Sequence, residues 1–409
     1  MYENLRKLSY KLPIEEYKAR YQSRFNGEST IKLDFFIKEN QAFVVVTPQM
    51  LQDIADIYKA DKIVMQYHQK LPEIAIDKFA KKCLVDEIVL TNKIEGVRST
   101  RREIGELLDE LNEKSGSVKA KQRFIGLVRN YMFLSNMEQD ERLVLNTCRD
   151  IREIYDALVL DDVVADDPKN APDGKIFRKE SVSVTAPTEK IVHQGIYPEE
   201  KIIENMNKAL KILQDDSLPG LLRVVLFHYF FEYIHPFYDG NGRLGRYLLS
   251  YTIRNELEVL MSYRLSYTIH EHKHEYEEAF VICNDVKNKG DLTPFVLMML
   301  SFIKQSAEKL VEALEKREHL INKYLAIIQI LDLNKKEKEL CFILLQASLF
   351  AENGISTKDL MEVLNIKQYS TLKKRLDILE KVQLLIKNSV GRENYYLLNL
   401  EMLDNKETI

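Results

Sequence analysis

The stretch from His235 to Arg246, HPFYDGNGRLGR, constrains the fold of this chain more than any other. The residues before it, Leu221–Ile234, form an apolar segment long enough for a buried helix, and Pro236 excludes the helical conformation from the residue that precedes it. Helical periodicity resumes from Arg243 to Asn255. The sequence therefore predicts two helices joined by a short glycine-framed turn, with His235 fixed at the break.

The turn has the composition of an anion-binding site. Gly240, Asn241 and Gly242 lead into the second helix, where backbone N–H groups and the helix dipole favour negative charge and the glycines let a phosphate approach closely. Arg243 and Arg246 are three residues apart, so both guanidinium groups lie on one helix face and can clamp successive phosphates. A Gly-Asn-Gly alone is most often only a turn. The neighbouring arginines are what predict phosphate binding.

Two further side chains bring chemistry to a bound phosphate. Asp239 directly precedes the turn, and a hard divalent cation prefers carboxylate oxygen combined with phosphate oxygen. His235 is a titratable group that can act as general base for an incoming hydroxyl, an effect worth roughly 10² to 10⁴ in rate. A single histidine before a proline is usually structural. A base, an acid, an anion site and two arginines in one short stretch predict an active site.

The stretch resembles the signature of the Fic family, His-Pro-Phe-x-[Asp/Glu]-Gly-Asn-Gly-Arg-x-x-Arg, and matches every fixed position. The resemblance implies a mostly α fold, a Fic-type helical bundle with a small β-hairpin flap. It also implies transfer of AMP from ATP, with Mg²⁺, to a Tyr, Ser or Thr hydroxyl of a target protein, and it leaves open whether the chain modifies itself. The implied roles are base for His235, metal ligand for Asp239, ATP binding for Gly240, Asn241, Gly242 and Arg243, γ-phosphate binding for Arg246, and buried loop anchor for Phe237.

Glu95 belongs to a second feature. The helix predicted over Ile76–Glu95 ends at Gly96, a natural left-handed cap, and places this carboxylate against the negative end of the helix dipole. The segment TNKIEG, from Thr91 to Gly96, resembles the inhibitory motif [Ser/Thr]-x-x-x-Glu-[Gly/Asn] of self-inhibited Fic proteins. That resemblance implies that Glu95 pairs with Arg246, so that ATP binds with its α-phosphate out of line for attack.

Two more segments are assigned through the same resemblance. The β-like runs Ser181–Val184 and Lys190–Val192 predict a hairpin, which would be the flap that captures a target segment by strand addition; a plain connecting excursion is the alternative. Arg178 resembles the arginine that often precedes this flap. Tyr276 would line the adenine side of an ATP site, and a core tyrosine is the alternative.

The C-terminal part has a different pattern. The segments Ser356–Leu364, Lys367–Leu379 and Leu384–Leu398 predict helix, helix and two strands, an order that resembles a winged helix-turn-helix domain. Its basic residues favour DNA binding, but acidic neighbours offset them, and protein contact or a homodimer interface stays open. The basic residues are Lys367, Lys373, Lys374, Arg375 and Arg392, and the acidic ones are Asp377, Glu380 and Glu393.

The whole chain sets outer bounds. Its 409 residues exceed one small core, and the net charge of −4 gives no case for nucleic acid or a membrane as principal partner. Scattered cysteines and the lack of an apolar signal core or membrane span predict a cytoplasmic protein without structural metal. The predicted domains are an N-terminal region with the inhibitory helix (1–100), a Fic catalytic core (101–300), a linking helix (301–334) and the winged helix-turn-helix (335–409).

Two other functions compete with AMP transfer. Some Fic proteins remove AMP from a modified protein, and Glu95 would then assist hydrolysis. A DNA-binding regulator whose nucleotide site only senses is the other alternative. His235 and Asp239 favour catalysis, because a sensor needs neither a base nor a metal ligand. The sequence does not separate addition of AMP from its removal.

Overall fold

The structure is a computed structural model that describes residues 2–113, 123–136, 145–185, 191–351, 353–390 and 393–407. It is mostly helical with small antiparallel sheets, as predicted, and its contacts divide it into two compact units. One unit contains the residues up to Asp61 together with Leu84–Glu308, and the other contains Lys62–Cys83 and the residues from Lys309 onward. The predicted domain boundaries at 100, 300 and 334 stay predictions.

The first unit contains helices, two β-hairpins and the active-site stretch. Its hairpins are β1 (Thr30–Ile37) with β2 (Asn40–Val45), and β3 (Ser183–Thr185) with β4 (Ile191–Gln194). Its helices, of which α3, α4 and α15 extend past the division, are α1 (Leu5–Lys11), α2 (Ile14–Phe25), α3 (Pro48–Lys70), α4 (Glu73–Ile94), α5 (Arg101–Glu113), α6 (Ile125–Asn136), α7 (Cys148–Tyr155), α8 (Asp161–Asp166), α9 (Glu199–Leu213), α10 (Gly220–Ile234), α11 (Asn241–Ile253), α12 (Val259–Ser262), α13 (Leu265–Glu271), α14 (Lys273–Cys283) and α15 (Thr293–Ile330).

The second unit has its own apolar core and a three-stranded antiparallel sheet of order β5-β7-β6. The two helices and two strands predicted between residues 356 and 398 are present. Beyond the C-terminal part of α15, its elements are α16 (Lys335–Phe350), β5 (Ile355–Ser356), α17 (Thr357–Val363), α18 (Tyr369–Lys381), β6 (Leu385–Val390), β7 (Glu393–Leu398) and α19 (Leu400–Glu407).

Helix α10 is the centre of the first unit and carries the active-site stretch at its end. Its side chains are buried almost all round, which is what a continuously apolar sequence predicts. It packs against α9 and α11, and Phe35 of β1 stacks on Phe230 with ring centroids 4.0 Å apart. A helix held on every side gives the residues that follow it a fixed starting point.

The sequence prediction was wrong at two places in the first unit. Before residue 50 the sequence indicates polar turns and short alternating apolar pieces, notably Ala42–Val46, but the region also contains α1 and α2. The acidic, turn-rich composition of Asp161–Gly174 predicts a loop. Residues Asp161–Asp166 are instead helical, because α7 continues through a π-helical turn, Asp156–Leu160, into α8. Val163 is the reason, since its side chain is fully buried one turn after Val159. π-Helical turns inside helices frequently occur at functional sites.

Within the part of the chain that the structure describes, no helix has the length and apolar character needed to cross a bilayer.

Candidate active site

The catalytic loop, His235–Gly240, begins with a reversal of the backbone. His235 ends α10 in the left-handed conformation, with φ of 52°, while its N–H still donates to the Phe231 carbonyl at 3.0 Å. Arg178, fully buried, fixes the next peptide: its Nε and Nη2 donate to the His235 carbonyl at 3.0 and 2.9 Å. The arginine predicted beside the flap therefore lies behind the loop, where it sets the direction of His235.

A side chain closes the loop from within. The Asn241 amide accepts from the Phe237 N–H at 2.9 Å and donates to the Phe237 carbonyl at 2.8 Å. The Phe237 ring is fully buried and stacks on Tyr155 with centroids 3.6 Å apart. Phe237 is thus the buried loop anchor that the sequence predicts. The Asn241 side chain is thus bound to the loop, whereas its backbone N–H, in the first turn of α11, is among those that a helix leaves for an anion.

The N-terminus of α11 forms the anion site, which comprises Gly240, Asn241 and Gly242. Helix α11 begins at Asn241, earlier than the predicted Arg243, because Gly240 makes the whole turn with φ of 78°. A Cβ at Gly240 would lie 3.1 Å from Val159 and 3.2 Å from Val163, so the π-helical segment packs tightly beneath the turn. Only glycine satisfies both the angle and the space.

Arg243 is placed for an anion. Its side chain is 2 % exposed, and its Nε is buried without a hydrogen-bond partner among the described residues. A buried guanidinium N–H without an acceptor costs free energy unless a ligand supplies one. This orphaned donor, one residue after Gly242, fits a phosphate oxygen at the anion site.

Arg246 is already occupied by the end of α4. Its Nη2 donates to Glu95 Oε1 at 2.8 Å and to the Thr91 carbonyl at 3.1 Å, and its Nε donates to Thr91 Oγ1 at 2.8 Å. Arg246 is 2 % exposed, whereas 36 % of the Glu95 side-chain surface is exposed. The structure brings Glu95 to Arg246, the pairing that the motif resemblance implies, and it adds two contacts with Thr91 that the sequence did not predict.

The Glu95 carboxylate also lies against the anion site. A Cβ built at Gly242 would collide with its carboxyl group, so the glycine makes room for it. Burial favours the neutral acid, but the charge of Arg246, with help from Arg243, outweighs it, so the pKa of Glu95 is lowered. An ionised carboxylate from the chain itself therefore lies at the helix N-terminus where a phosphate is expected.

The end of α4 is held by its own backbone and by one lysine. Gly96, with φ of 75°, caps the helix: its N–H donates to the Lys93 carbonyl and that of Val97 to the Asn92 carbonyl, which is a Schellman motif. The predicted left-handed cap is confirmed. From α14, Lys273 Nζ donates to the Ile94 carbonyl at 2.7 Å. A cation at a helix C-terminus stabilises it through both the hydrogen bond and the dipole.

His235 is held in its neutral form. Burial of the His235 side chain is the main cause that lowers its pKa to about 4, and the neighbouring His193 and Arg178 lower it further. Glu95 has a smaller opposing effect. A histidine with that pKa is unprotonated at neutral pH and can accept a proton. It lies beside the base of the β3–β4 hairpin, where the Gly195 N–H donates to the Val182 carbonyl and the Ile196 N–H to the Ile234 carbonyl.

Asp239 and the β3–β4 hairpin are the remaining predicted features near the catalytic loop. The Asp239 side chain is exposed, and its Oδ1 accepts from the Gly240 N–H at 2.5 Å. The hairpin predicted over 181–192 is confirmed as the antiparallel pair β3–β4. Residues 186–190, which include most of the predicted connection and Lys190 of the second predicted run, lie outside the described residues. A carboxylate near the anion site and exposed to solvent is free to bind a cation.

Comparison with known protein families identifies the domain that contains this site. The model of the Fic/DOC family matches residues 146–253, a span that contains the catalytic loop and the anion site. Residues 146–253 are a Fic/DOC family domain. The Fic domain thus includes α7 to α11 and the β3–β4 hairpin.

Solved structures resemble the fold. A Fic family protein from Desulfovibrio desulfuricans G20 is 19 % identical, with a TM-score of 0.51 over 87 % of this chain and 97 % of that chain. A fragment of Fic-1 from C. elegans is 20 % identical, with a TM-score of 0.43 over 65 % of this chain and 74 % of that chain. The first likeness, which runs over most of both chains, supports the helical Fic fold.

The structure does not bring every predicted residue to an open site. Tyr276 of α14 is 6 % exposed, and its hydroxyl lies 2.8 Å from His228 Nε2 in the interior. Its ring contacts Phe280 edge-on. These contacts match the alternative of a core tyrosine, and an adenine contact stays a prediction.

The basic residues of the second unit are spread over a mixed surface. Lys373 and Lys374 of α18 are exposed, but Glu380 is exposed on the same helix. Lys367 precedes α18, and Arg392 lies outside the described residues. The winged helix-turn-helix assignment and DNA binding stay predictions.

Sequence reasoning missed three residues that act on the site. Tyr155, which stacks on Phe237, and Lys273, which caps α4, carry no signal in a single sequence because their contacts are distant along the chain. Glu232 does have a signal in the sequence, because it is the only acidic residue in the apolar segment Leu221–Ile234. An isolated acid in a buried helix indicates a function or a partner.

Proposed function

We propose that this protein is an adenylyltransferase that moves AMP from ATP to a hydroxyl side chain of a target protein. The Fic/DOC family domain supports a transferase of the nucleotidyl-transfer kind. The target carries a Tyr, Ser or Thr hydroxyl, and the chain itself is a candidate target. Glu95 keeps the enzyme inactive until its carboxylate leaves Arg246.

The observation that carries this proposal is the position of the Glu95 carboxylate. It is bound by Arg246 at 2.8 Å and lies against Gly242 at the N-terminus of α11. A helix N-terminus with an arginine that binds one anionic oxygen group is suited to another, and a phosphate has the same requirements. The anion site thus supports ATP binding, and its occupant supports self-inhibition.

The transfer step uses His235 as its base. The target hydroxyl oxygen attacks the α-phosphorus and forms a P–O bond, while its proton passes to the His235 imidazole. The bond between the α-phosphorus and the bridging oxygen breaks, and pyrophosphate leaves with that electron pair. The low pKa of His235 supplies the neutral imidazole, and nearby phosphate charge raises its basicity once ATP is bound.

The residues at the site fit ATP and Mg²⁺. The orphaned Nε of Arg243 and the room at Gly242 suit phosphate oxygens. Asp239 would hold Mg²⁺, which when bound neutralises phosphate charge. Arg178 and Asn241 orient the loop, so that His235 and the anion site keep a fixed relation.

Inhibition follows from competition for Arg246. With Glu95 in place, the γ-phosphate lacks its arginine, and the triphosphate binds with the α-phosphate turned from the incoming hydroxyl. The third of the Glu95 side chain that is exposed gives it a way out towards solvent. Release therefore needs only this side chain to move.

The test is transfer of label from ATP labelled at the α- or the γ-phosphate, with Mg²⁺ and with the protein itself or a cell lysate as target. We expect protein labelling from α-labelled ATP by Glu95→Gly, none from γ-labelled ATP, and none from α-labelled ATP when His235→Ala is added. Labelling from the γ-phosphate would show phosphorylation instead. Undiminished labelling after His235→Ala would contradict the base assignment.

AMP removal is the second candidate, and the position of Glu95 favours it. Its carboxylate lies against Gly242 at the anion site, where it could accept a proton from a water that attacks a phosphodiester. The two candidates differ in the sign of the Glu95→Gly effect. With a target modified beforehand by Glu95→Gly, the parent protein would release AMP from it if removal is the function, and would not if only transfer is.

A further inference from the structure

A second carboxyl group lies against α11, the helix that carries Arg246. Glu232 belongs to the last turn of α10, three residues before His235. A Cβ built at Gly245 would collide with its Oε1, so the carboxyl group lies against α11 at the residue before Arg246, and the charge of Arg246 acts on it. Gly245 makes room for Glu232 in the way that Gly242 makes room for Glu95.

The hydrogen bonds of the described residues do not explain why a carboxyl group stands at position 232. Its Oε1 is buried and has no hydrogen-bond partner among the described residues. Three charged or titratable groups on other elements interact electrostatically with the Glu232 carboxyl group: Glu95 at the end of α4, Arg246 of α11 and Tyr276 of α14. A buried carboxyl group with an unused acceptor is costly. An apolar residue would fill the same space at lower cost unless the carboxyl group acts on Arg246.

We propose that Glu232 is the internal counter-ion of Arg246, protonated while Glu95 or a γ-phosphate occupies the arginine and ionised when neither does. Arg246 then keeps one negative partner in each state, and its buried charge is never left uncompensated. The inference rests on the proposed function in one respect, that Arg246 meets the γ-phosphate of ATP.

The proton balance fixes the sign. Burial, together with the charge of Glu95, raises the pKa of Glu232 to about 8 against the pull of Arg246, so the acid is protonated at neutral pH in the inhibited state. When Glu95 leaves, the raising charge is gone while Arg246 remains, and the pKa falls. The carboxyl O–H bond breaks, the proton goes to water, and the carboxylate pairs with Arg246. A γ-phosphate that takes Arg246 raises the pKa again, and one proton returns from water.

The consequence is that ATP binding to the released protein takes up a proton. A binding step that takes up a proton weakens as pH rises, by at most about tenfold per pH unit. In Glu95→Gly, affinity for ATP should therefore fall between roughly pH 7 and 9, by about three- to tenfold in total. AMP, which has no γ-phosphate, should show no such dependence.

Calorimetry of the full chain with α,β-methylene-ATP and Mg²⁺, in buffers of different ionisation enthalpy, measures this uptake. We expect Glu95→Gly to take up more protons than Glu95→Gly with Glu232→Gln, whose amide has the same shape but cannot ionise. The difference between the two removes the titration of the nucleotide itself. Melting temperatures of both variants show whether each is folded.

The matched control is Glu87→Gln in the Glu95→Gly background. Glu87 of α4 is also buried, with a pKa raised by burial to about 7, but both its oxygens accept from the Ser266 N–H, at 3.1 and 2.9 Å. Loss of proton uptake with Glu232→Gln and not with Glu87→Gln would support the proposal. Loss with Glu87→Gln alone, or equal uptake in all three proteins, would overturn it while leaving the proposed function intact. Failure of any nucleotide to bind would overturn both.

Discussion

The catalytic loop and the end of α4 approach the same arginine-lined anion site but are held in different ways. The loop is fixed from inside the protein: Arg178 binds the His235 carbonyl, Asn241 binds both backbone groups of Phe237, and the Phe237 ring is fully buried. Glu95 follows the last residue of its helix, and a third of its side chain is exposed.

This difference separates a permanent part of the site from a removable one. Moving the catalytic loop would break buried hydrogen bonds and leave their groups unpaired, whereas withdrawing Glu95 breaks one ion pair with an exposed side. The two hydrogen bonds that Arg246 donates to Thr91 do not involve Glu95, so we expect them to persist after that withdrawal. Inhibition should therefore be reversible without rebuilding the catalytic loop.

The largest effect is expected from His235→Ala in the Glu95→Gly background. Loss of a general base should lower the transfer rate by roughly 10² to 10⁴ while ATP affinity stays within about twofold. Steady-state transfer and nucleotide titration measure the two quantities. A comparable loss of ATP affinity would mean that His235 is part of the binding site rather than the base.

Asn241→Ala should have the next largest effect, because it tests whether the catalytic loop is fixed. The change leaves the buried N–H and carbonyl of Phe237 without their partners, at about 1 to 3 kcal/mol for each such group. We expect transfer by Glu95→Gly to fall at least about tenfold, with a lower melting temperature. Asn205→Ala, at an exposed amide on α9, is the control. Equal effects of the two would remove the distinction between loop and helix end.

Lys273→Met tests the opposite side of the comparison and should be milder. It removes the hydrogen bond to the Ile94 carbonyl and a charge at the C-terminus of α4, but keeps most of the apolar side chain. The parent protein should become more active by about two- to fivefold, since such caps contribute about 0.3 to 1 kcal/mol. In the Glu95→Gly background the same substitution should change nothing. A gain there would mean that Lys273 acts on the site directly.

The smallest effect is expected for the protonation of His235, which should not change over the range in which most histidines titrate. Because the pKa of His235 is lowered to about 4, its ring should stay neutral as the pH falls from 8 to 5, the range in which an ordinary histidine becomes protonated. Histidine side-chain NMR of the parent, with His235→Ala for assignment, checks this. A midpoint near the ordinary value would show that His235 is not shielded, and the fixed loop would lose its electrostatic support.

The sequence allowed the prediction of parts of the site that depend on neighbours along the chain. The apolar segment before His235, the left-handed glycine at 96 and the β-hairpin could be predicted because periodicity and turn residues act locally. The pairing of Glu95 with Arg246, 151 residues apart, was expected only through the motif resemblance.

Other features depend on packing between distant segments, which a single sequence does not encode visibly. The side-chain amide of Asn241 binds both backbone groups of Phe237, a role that the sequence did not predict, and its contact with ATP stays a prediction. Val163 could not be placed in a helix from an acidic, turn-rich stretch, because its burial against Gly240 decides it. The helices before residue 50 were missed for the same reason, since Leu5 and Tyr17 belong to an apolar cluster that also includes Phe43 of β2.

The most direct test of a fixed site with a removable occupant is the rate of AMP transfer by three proteins: the parent, Glu95→Gly, and Glu95→Gly with Arg246→Ala. We expect Glu95→Gly to transfer AMP faster than the parent by at least about tenfold, which corresponds to about 1.4 kcal/mol. This gain in rate should be lost when Arg246→Ala is added to Glu95→Gly. A Glu95→Gly protein that binds ATP but transfers AMP no faster than the parent would contradict the account.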